Sequence, residues 1–215
     1  MKKFYFTLFL FATLLVGTFY SQNHLFAQEP SSKSEQSKDY QSAYIDIFNK
    51  MKEGMNAAQN TGNVNLDFVL EMIPHHEGGI DMAKAIIKYG NNEDVKKIAQ
   101  NIVTSQEAQI PLMQQLKAKF EKEPLSTKED SQNYIKDYDE IKSTMFKEMQ
   151  SVPLTGSADE TFLRQMIYHH EGAIAMSKNI LKYTQNAKLK SLAENIVTTQ
   201  SQGVDEMKNL LNTMK

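Results

Sequence analysis

MIPHHEGGIDMAK, residues 72–84, and MIYHHEGAIAMSK, residues 166–178, are two copies of one element in a chain that has only five histidines. Four of the five lie in these copies: His75, His76, His169 and His170. The apolar residues in and around each copy recur at helical spacing. At about 100° per residue, with Met72 set at zero, His76 falls near +40° and His75 near −60°. Phe68, Val69, Gly79, Ala83, Ile86 and Ile87 all fall within about 60° of Met72. The paired histidines therefore flank the centre of an apolar stripe, while Glu77 and Lys84 fall at its edge or outside it.

Outward from this element the chain repeats itself without gaps at an offset of 94 residues, His75 to His169. Tyr44, Ile47, Met51 and Met55 match Tyr138, Ile141, Met145 and Met149. Phe68 and Met72 match Phe162 and Met166. AQNIVTSQ matches AENIVTTQ, and Met113 matches Met207. Such self-similarity marks an internal duplication. Each copy reads as three helical segments without convincing strands. The first runs from about 40 to 58 and again from 133 to 150. The second runs from about 66 to 89 and again from 158 to 183. The third runs from about 93 to 120 and again from 187 to 214. Ser157 with Glu160 has the pattern of a capping box. Pro74, inside the second segment, removes one backbone hydrogen bond and predicts a kink. Short connections make the long segments antiparallel pairs. The expectation is an all-α, ferritin-like four-helix bundle from two tandem helical repeats, with the first segments as short extra helices. Counting back through the turn near Asn91 puts Ile110 level with Met72, and Gln106 level with His75 and His76.

Before the duplication, Lys2 and Lys3 precede the apolar run Phe4–Tyr20, and a cut after Ala27 suits signal peptidase. The run is short for a membrane span. Residues 1–27 read as a signal peptide and the chain as exported, periplasmic or extracellular, with no membrane contact beyond the leader. Residues 28–39 are polar and read as a disordered spacer. Residues 40–120 form repeat one, 121–133 the linker and 134–215 repeat two.

A net charge of −2 gives no basic footprint, so nucleic acid is not an expected partner. The absence of cysteine excludes disulfides and thiolate metal sites. Methionine, present 12 times, is the sulfur ligand that remains. Met72, His75, His76 and Met113 are candidate ligands in one repeat, with Met51 and Met55 approaching from the side. Met166, His169, His170, Met207, Met145 and Met149 are the candidates in the other. Methionine at helical spacing is also ordinary core filler. A buried histidine pair without a partner, however, is costly. Thioether with imidazole suits Cu(I), and secondarily Cu(II), better than magnesium, calcium or manganese. Glu77 and Glu171 are open to two readings, as acceptors for a histidine N–H or as salt-bridging surface residues. Gly78 and Gly172 read as points of close helix approach.

A di-iron site would require carboxylates on two helices and two Glu-x-x-His pairs. Met72 stands three residues before His75, and Glu71 has Gln165 as its counterpart, so the carboxylate set is incomplete. Three readings stand: a copper-binding protein that stores or passes on its ion without catalysis, a ferritin-like metal-dependent oxidoreductase, and a metal-free helical interaction domain.

The paired M-I-x-H-H-E-G-x-I-x-M segments, each followed by A-x-N-I-V-x-x-Q and a later methionine, resemble a family of secreted ferritin-like domains of unknown function. The resemblance spans Tyr40 to the C-terminus. It implies a four-helix bundle outside the cytoplasm and, by analogy with copper-binding members, copper tolerance or homeostasis. The ligands it implies are Met72, His75, His76, Met166, His169 and His170, with Met113 and Met207 next. The implied partners are the metal ion and other copper-handling proteins. Where such proteins often carry a glutamate after the glutamine of the third segment, this chain has Gln109 and Gly203.

Overall fold

The computed structural model describes residues 33–214. They form six helices: α1 (Lys33–Ala57), α2 (Val64–Tyr89), α3 (Glu93–Phe120), α4 (Lys128–Ser151), α5 (Ala158–Ile180) and α6 (Ala187–Thr213). There is no strand among the described residues. The proposed leader, residues 1–27, lies outside them. None of the described helices is long and apolar enough to cross a membrane.

Helices α2 and α5 are the inner pair. Helix α2 packs against α1, α3 and α5, while α5 packs against α4, α6 and α2; α3 also meets α6. Together α2, α3, α5 and α6 make the four-helix core, and α1 and α4 lie against it. The composition of α2 and α5 explains their place. Sixteen residues of α2 are buried, from Val64 to Ile86, because apolar and small side chains surround most of the helix.

Polar side chains mark where the helices start. Asn63 and Asn92 accept from the first amides of α2 and α3, and Asn186 does so for α6. Ser157 accepts from the Glu160 amide at 3.1 Å. The reciprocal half of the expected capping box does not form, because Glu160 turns outward to Arg164. Gly90 follows α2 with φ −74° and ψ 160°, an extended conformation. Its lack of a side chain serves a close approach: a Cβ there would stand 2.7 Å from Asp159 Oδ1. That carboxylate accepts from the amides of Asn91 and Asn92 and so ties the α2–α3 connection to the start of α5.

Three expectations need correction. Helices α1 and α4, at 25 and 24 residues, are not short. A stripe of Tyr40, Tyr44, Phe48, Met51 and Met55 is buried along α1, and Tyr134, Tyr138, Met145, Phe146 and Met149 are buried along α4. Phe48 and Phe146 meet edge to face at 5.7 Å. The spacer expected to run through residue 39 is helical from Lys33, and Ser37 donates to the Gly156 carbonyl at 2.9 Å. The linker ends at residue 127 rather than 133, because Thr127 caps α4 through the Asp130 amide. Helix α2 runs through Pro74, as α3 does through Pro111. Gly54 makes room for the Pro74 ring, since a Cβ at residue 54 would lie 2.9 Å from the proline Cβ.

Gly78 and Gly172 permit close approach, but to a side chain rather than to a helix backbone. A Cβ on Gly78 would meet Met51 Sδ at 2.5 Å and Met51 Cβ at 2.8 Å. One on Gly172 would collide with the Met145 thioether. Gly78→Ala should therefore cost about 1–3 kcal/mol through overpacking, more than the helix propensity it gains. At this size the melting temperature should fall by about 2–4 °C per kcal/mol. Met51→Ala in the same background should recover much of that loss, as a thermal double-mutant cycle would show. An unchanged or raised Tm for Gly78→Ala would refute the packing account.

Candidate metal centre

The M-x-x-H-H pattern does its positioning within one helix. Residues three and four apart share a face, so Met72 neighbours both His75 and His76, and Met166 neighbours both His169 and His170. Because α2 and α5 pack on each other, the two histidine pairs meet. His75 and His169 stack with ring centroids 3.8 Å apart at 28°. His76 lies 6.0 Å from His75, and His170 lies 5.8 Å from His169. His75, His76 and His169 are fully buried and His170 is 3% exposed.

Two of the rings have a defined tautomer because a carbonyl oxygen can only accept. His169 donates Nε2–H to the His75 backbone oxygen at 3.0 Å. His76 donates Nε2–H to Gln109 Oε1 at 2.8 Å, and Gln109 Nε2 donates onward to Asn195 Oδ1 at 2.8 Å. Each therefore leaves its Nδ1 lone pair without a hydrogen-bonding partner in the protein. His75 has no such partner on either nitrogen. Gln106, Gln165 and Gln200 are also buried with both amide atoms unpartnered.

Burial holds all four rings neutral. It pushes His76 down to about 4, against the opposing pull of Gln109. It pushes His169 down to about 3. His75 and His170 lie well below the usual histidine range, through burial first and the neighbouring rings second. The cluster thus presents neutral imidazoles with free lone pairs, the form a metal requires. Among the described residues no group of three or more His, Cys, Asp or Glu side chains could hold an ion. Nitrogen and oxygen donors alone do not make the site, so the thioethers decide whether the residues fit a metal.

All twelve sequence candidates lie in the described core, and every methionine among them is buried. The observed register corrects the expected one by about one helical turn. Gly79 of α2 faces Gln106, and His76 faces Gln109. The same antiparallel register sets Met72 level with Met113 rather than with Ile110. Gly203 facing His170 likewise sets Met166 level with Met207. The extended connection after Tyr89 is what displaces the pairing from a symmetric turn. Met51 and Met145 lie over Gly78 and Gly172, on a flank about 100° from the middle of the histidine face. Met55 and Met149 follow one turn further along the same buried stripes. Glu77 is exposed, and Glu171 pairs with Lys208 at 2.8 Å, so the surface reading holds for both.

Gln109, Asn195 and Gly79 were missed as neighbours of the histidines. Gly79, three residues after His76 in the motif, was the available signal. A Cβ there would stand 2.6 Å from both Gln106 Oε1 and His169 Cε1. Glu71, the one carboxylate near a di-iron pattern, accepts instead from Tyr134 Oη at 2.9 Å. Burial raises it to about 9, so it holds its proton at neutral pH.

The model of the domain of unknown function DUF305 matches residues 28–211, and the chain belongs to that family. Among solved structures, CopM in its Cu(I)-bound form is similar, with a TM-score of 0.53 at 27% identity over 70% of this chain and 96% of that one. CopM is also represented in Cu(II)-bound and silver-bound forms. A DUF305 fragment from Deinococcus radiodurans matches with a TM-score of 0.52 at 25% identity over 70% of this chain and 96% of the fragment. An uncharacterized protein of Acanthamoeba polyphaga mimivirus is 39% identical over 57 residues, which are 26% of this chain and 38% of that protein's length.

The shifted groups make apo-protein stability depend on pH in two opposing ways. The histidines, lowered in the fold, contribute stability that is complete above about 6.5 and is lost as pH falls through about 4 and 3. Glu71, raised in the fold, contributes stability that is complete below about 4.5 and is lost as pH rises through about 9. Thermal unfolding should therefore show a crest near pH 6–7. Glu71→Gln, which copies Gln165, should flatten the alkaline decline and leave the acid limb in place. Melting curves at pH 4.5, 6.5 and 9 test this, and an alkaline decline unchanged in the variant would contradict it.

Proposed function

We propose that this is an exported copper-binding protein that takes Cu(I), and secondarily Cu(II), as cargo and stores it or hands it on. The observation that carries the reading is the junction of four neutral, buried histidines at the α2–α5 contact, each pair preceded on its own helix by a buried methionine. The ligands proposed are Met72, His75, His76 and Met113 from one half, and Met166, His169, His170 and Met207 from the other. Met51, Met55, Met145 and Met149 form the surrounding thioether layer. Membership of DUF305 and the likeness to CopM, solved with Cu(I), Cu(II) and silver, support the reading. So does the chemistry: thioethers neither ionise nor form disulfides, and burial has already removed the competing proton from each imidazole. The signal-peptide pattern of residues 1–27 supports export, and the resemblance to copper-binding members of the family supports a role in copper tolerance or homeostasis. Other copper-handling proteins are the partners proposed.

The protein's own contribution is positional. Gln109 and the His75 carbonyl hold His76 and His169 by their Nε2–H groups and leave Nδ1 available. A di-iron oxidase finds less support, because Glu71 is engaged by Tyr134 and Gln165 stands 94 residues on.

Met→Leu substitutions nearly conserve volume and remove the sulfur, which separates ligation from packing. Met72→Leu with Met166→Leu should weaken Cu(I) affinity at least tenfold, or about 1.4 kcal/mol, in competition with a coloured Cu(I) chelator. Zinc or magnesium should not compete. A double variant that binds Cu(I) as tightly as the parent, or a parent that fails to compete at all, would end the proposal.

A further inference from the structure

Gln109 of α3 and Gly203 of α6 stand at equivalent positions, 94 residues apart, and do opposite things. Gln109 takes the Nε2–H of His76 and donates to Asn195 on α6, so it latches the α3–α6 seam over that histidine. Asn101 is the residue 94 before Asn195, but Gly203 has no side chain with which to answer it. A Cβ built at Gly203 would stand 3.1 Å from His170 Cδ2 and 3.3 Å from Nε2. That edge of the imidazole faces the place where a second latch would stand. There a cleft of about 180 Å³ opens between α3 and α6, lined among others by Asn101, Gln106, His170, Gln200, Gly203 and Glu206.

The cleft has an interior as well as a mouth. Gln106 and Gln200 line it at 2% and 3% exposure, and none of their amide atoms has a partner in the protein. Buried amides without partners call for a ligand or water. Gln106 Oε1 also lies beside Gly79, next to His169 Cε1. Exposed Glu206 at the rim therefore connects, through His170, Gln200 and Gln106, to the stacked rings at the centre. Gly79 keeps the inner end open, since a Cβ there would stand 2.6 Å from both Gln106 Oε1 and His169 Cε1.

We propose that the α3–α6 cleft at Gly203 is the passage by which the cargo cation reaches and leaves the histidine cluster, while the Gln109–Asn195 latch shuts the equivalent passage over His76. The proposal rests on the metal-binding reading above. Amide oxygens of Gln106 and Gln200 replace water around the moving cation, as carbonyl oxygens do in ion-conducting pores. Glu206 draws cations to the mouth, and His170 is the first imidazole they meet. The two halves carry like ligands but differ in access: the His170 side of the cluster is open and the His76 side is sealed.

Two variants of the full chain test this. Gly203→Gln rebuilds the latch opposite Asn101, and Gln109→Gly removes the existing one. In the apo-protein, deuterium exchange at each imidazole Cε1, read by mass spectrometry, should be at least tenfold faster for His170 than for His76. Gly203→Gln should bring His170 to the His76 rate, and Gln109→Gly should speed His76 at least tenfold. Cu(I) transfer from a coloured chelator should slow at least tenfold in Gly203→Gln with its equilibrium affinity unchanged. Equal exchange at His170 and His76 in the parent, or an unchanged transfer rate in Gly203→Gln, would overturn the passage alone. If Gly203→Gln unfolds, the Gln109→Gly result decides, and no acceleration of His76 refutes the latch. A chain with the exchange asymmetry but no Cu(I) uptake would overturn the cargo, and the ion's passage with it, while leaving a route for water.

Discussion

The rest of the structure is arranged around four imidazoles buried where α2 meets α5. An imidazole buried with an unpartnered nitrogen costs about 1–3 kcal/mol relative to one that is hydrogen-bonded. His75 has two such nitrogens, and His76, His169 and His170 each have at least one. A helical bundle could avoid the cost by placing leucine there. The surrounding core is already apolar, with Met, Phe and Tyr buried on α1 and α4 and Leu, Ile, Val and Met on α3 and α6. The histidines are therefore sustained by the rest of the core and are not themselves a source of its stability. An ion that gave these lone pairs a partner would stabilise the folded chain by mass action.

This constraint orders the outer parts of the fold. To bury the rings, α2 and α5 need cover on their outer sides, and α1 and α4 supply it at full length. Tyr40, Tyr44 and Phe48 on α1, and Tyr134 and Tyr138 on α4, form two aromatic ladders against the inner pair. Gly78 and Gly172 let the Met51 and Met145 thioethers settle onto the helices that carry the histidines. Wider side chains at those two points would hold the cover away from the core. The polar ties lie at the periphery, with Asp159 binding the α2–α3 connection and Ser126 holding the α2 start.

Much of this was legible in the residues, and the failures have identifiable causes. The duplicated HHEG element and its 3.6-residue periodicity were sufficient for the helices and for the histidine face, because burial leaves a direct trace in spacing. The length of α1 was underestimated because QEPSSKSEQSKD is polar, and its helix is held by a long-range contact from Ser37 to Gly156 that spacing cannot reveal. The α2–α3 register was off by a turn because Gly90–Asn92 is extended, and dihedral angles in a connection are not encoded by periodicity. That error moved Gln106 onto the histidines and hid Gln109. Met72 and Met113 were already grouped as candidates of one repeat, and His76 facing Gln109 sets them level.

The departures from internal symmetry carry more information than the symmetry does. Positions that agree at an offset of 94 build the cluster: the methionines, the four histidines, Gly78 with Gly172, and Gln106 with Gln200. Three positions that disagree lie beside it. Glu71 holds Tyr134, whereas Gln165 holds nothing in the protein. Gly79 admits Gln106 and His169 to its side, whereas Ala173 fills the corresponding place. Gln109 bridges to Asn195, whereas Gly203 leaves His170 against a cleft. All three differences change polar contacts or free space beside the rings. The repeats also differ in the apolar framework, with Phe48 against Lys142 and Val69 against Leu163, but differences beside the rings bear on what the scaffold can hold. A scaffold that must both hold a cation and exchange it benefits from two unlike faces on a single cluster, because retention favours a sealed imidazole and exchange favours an accessible one.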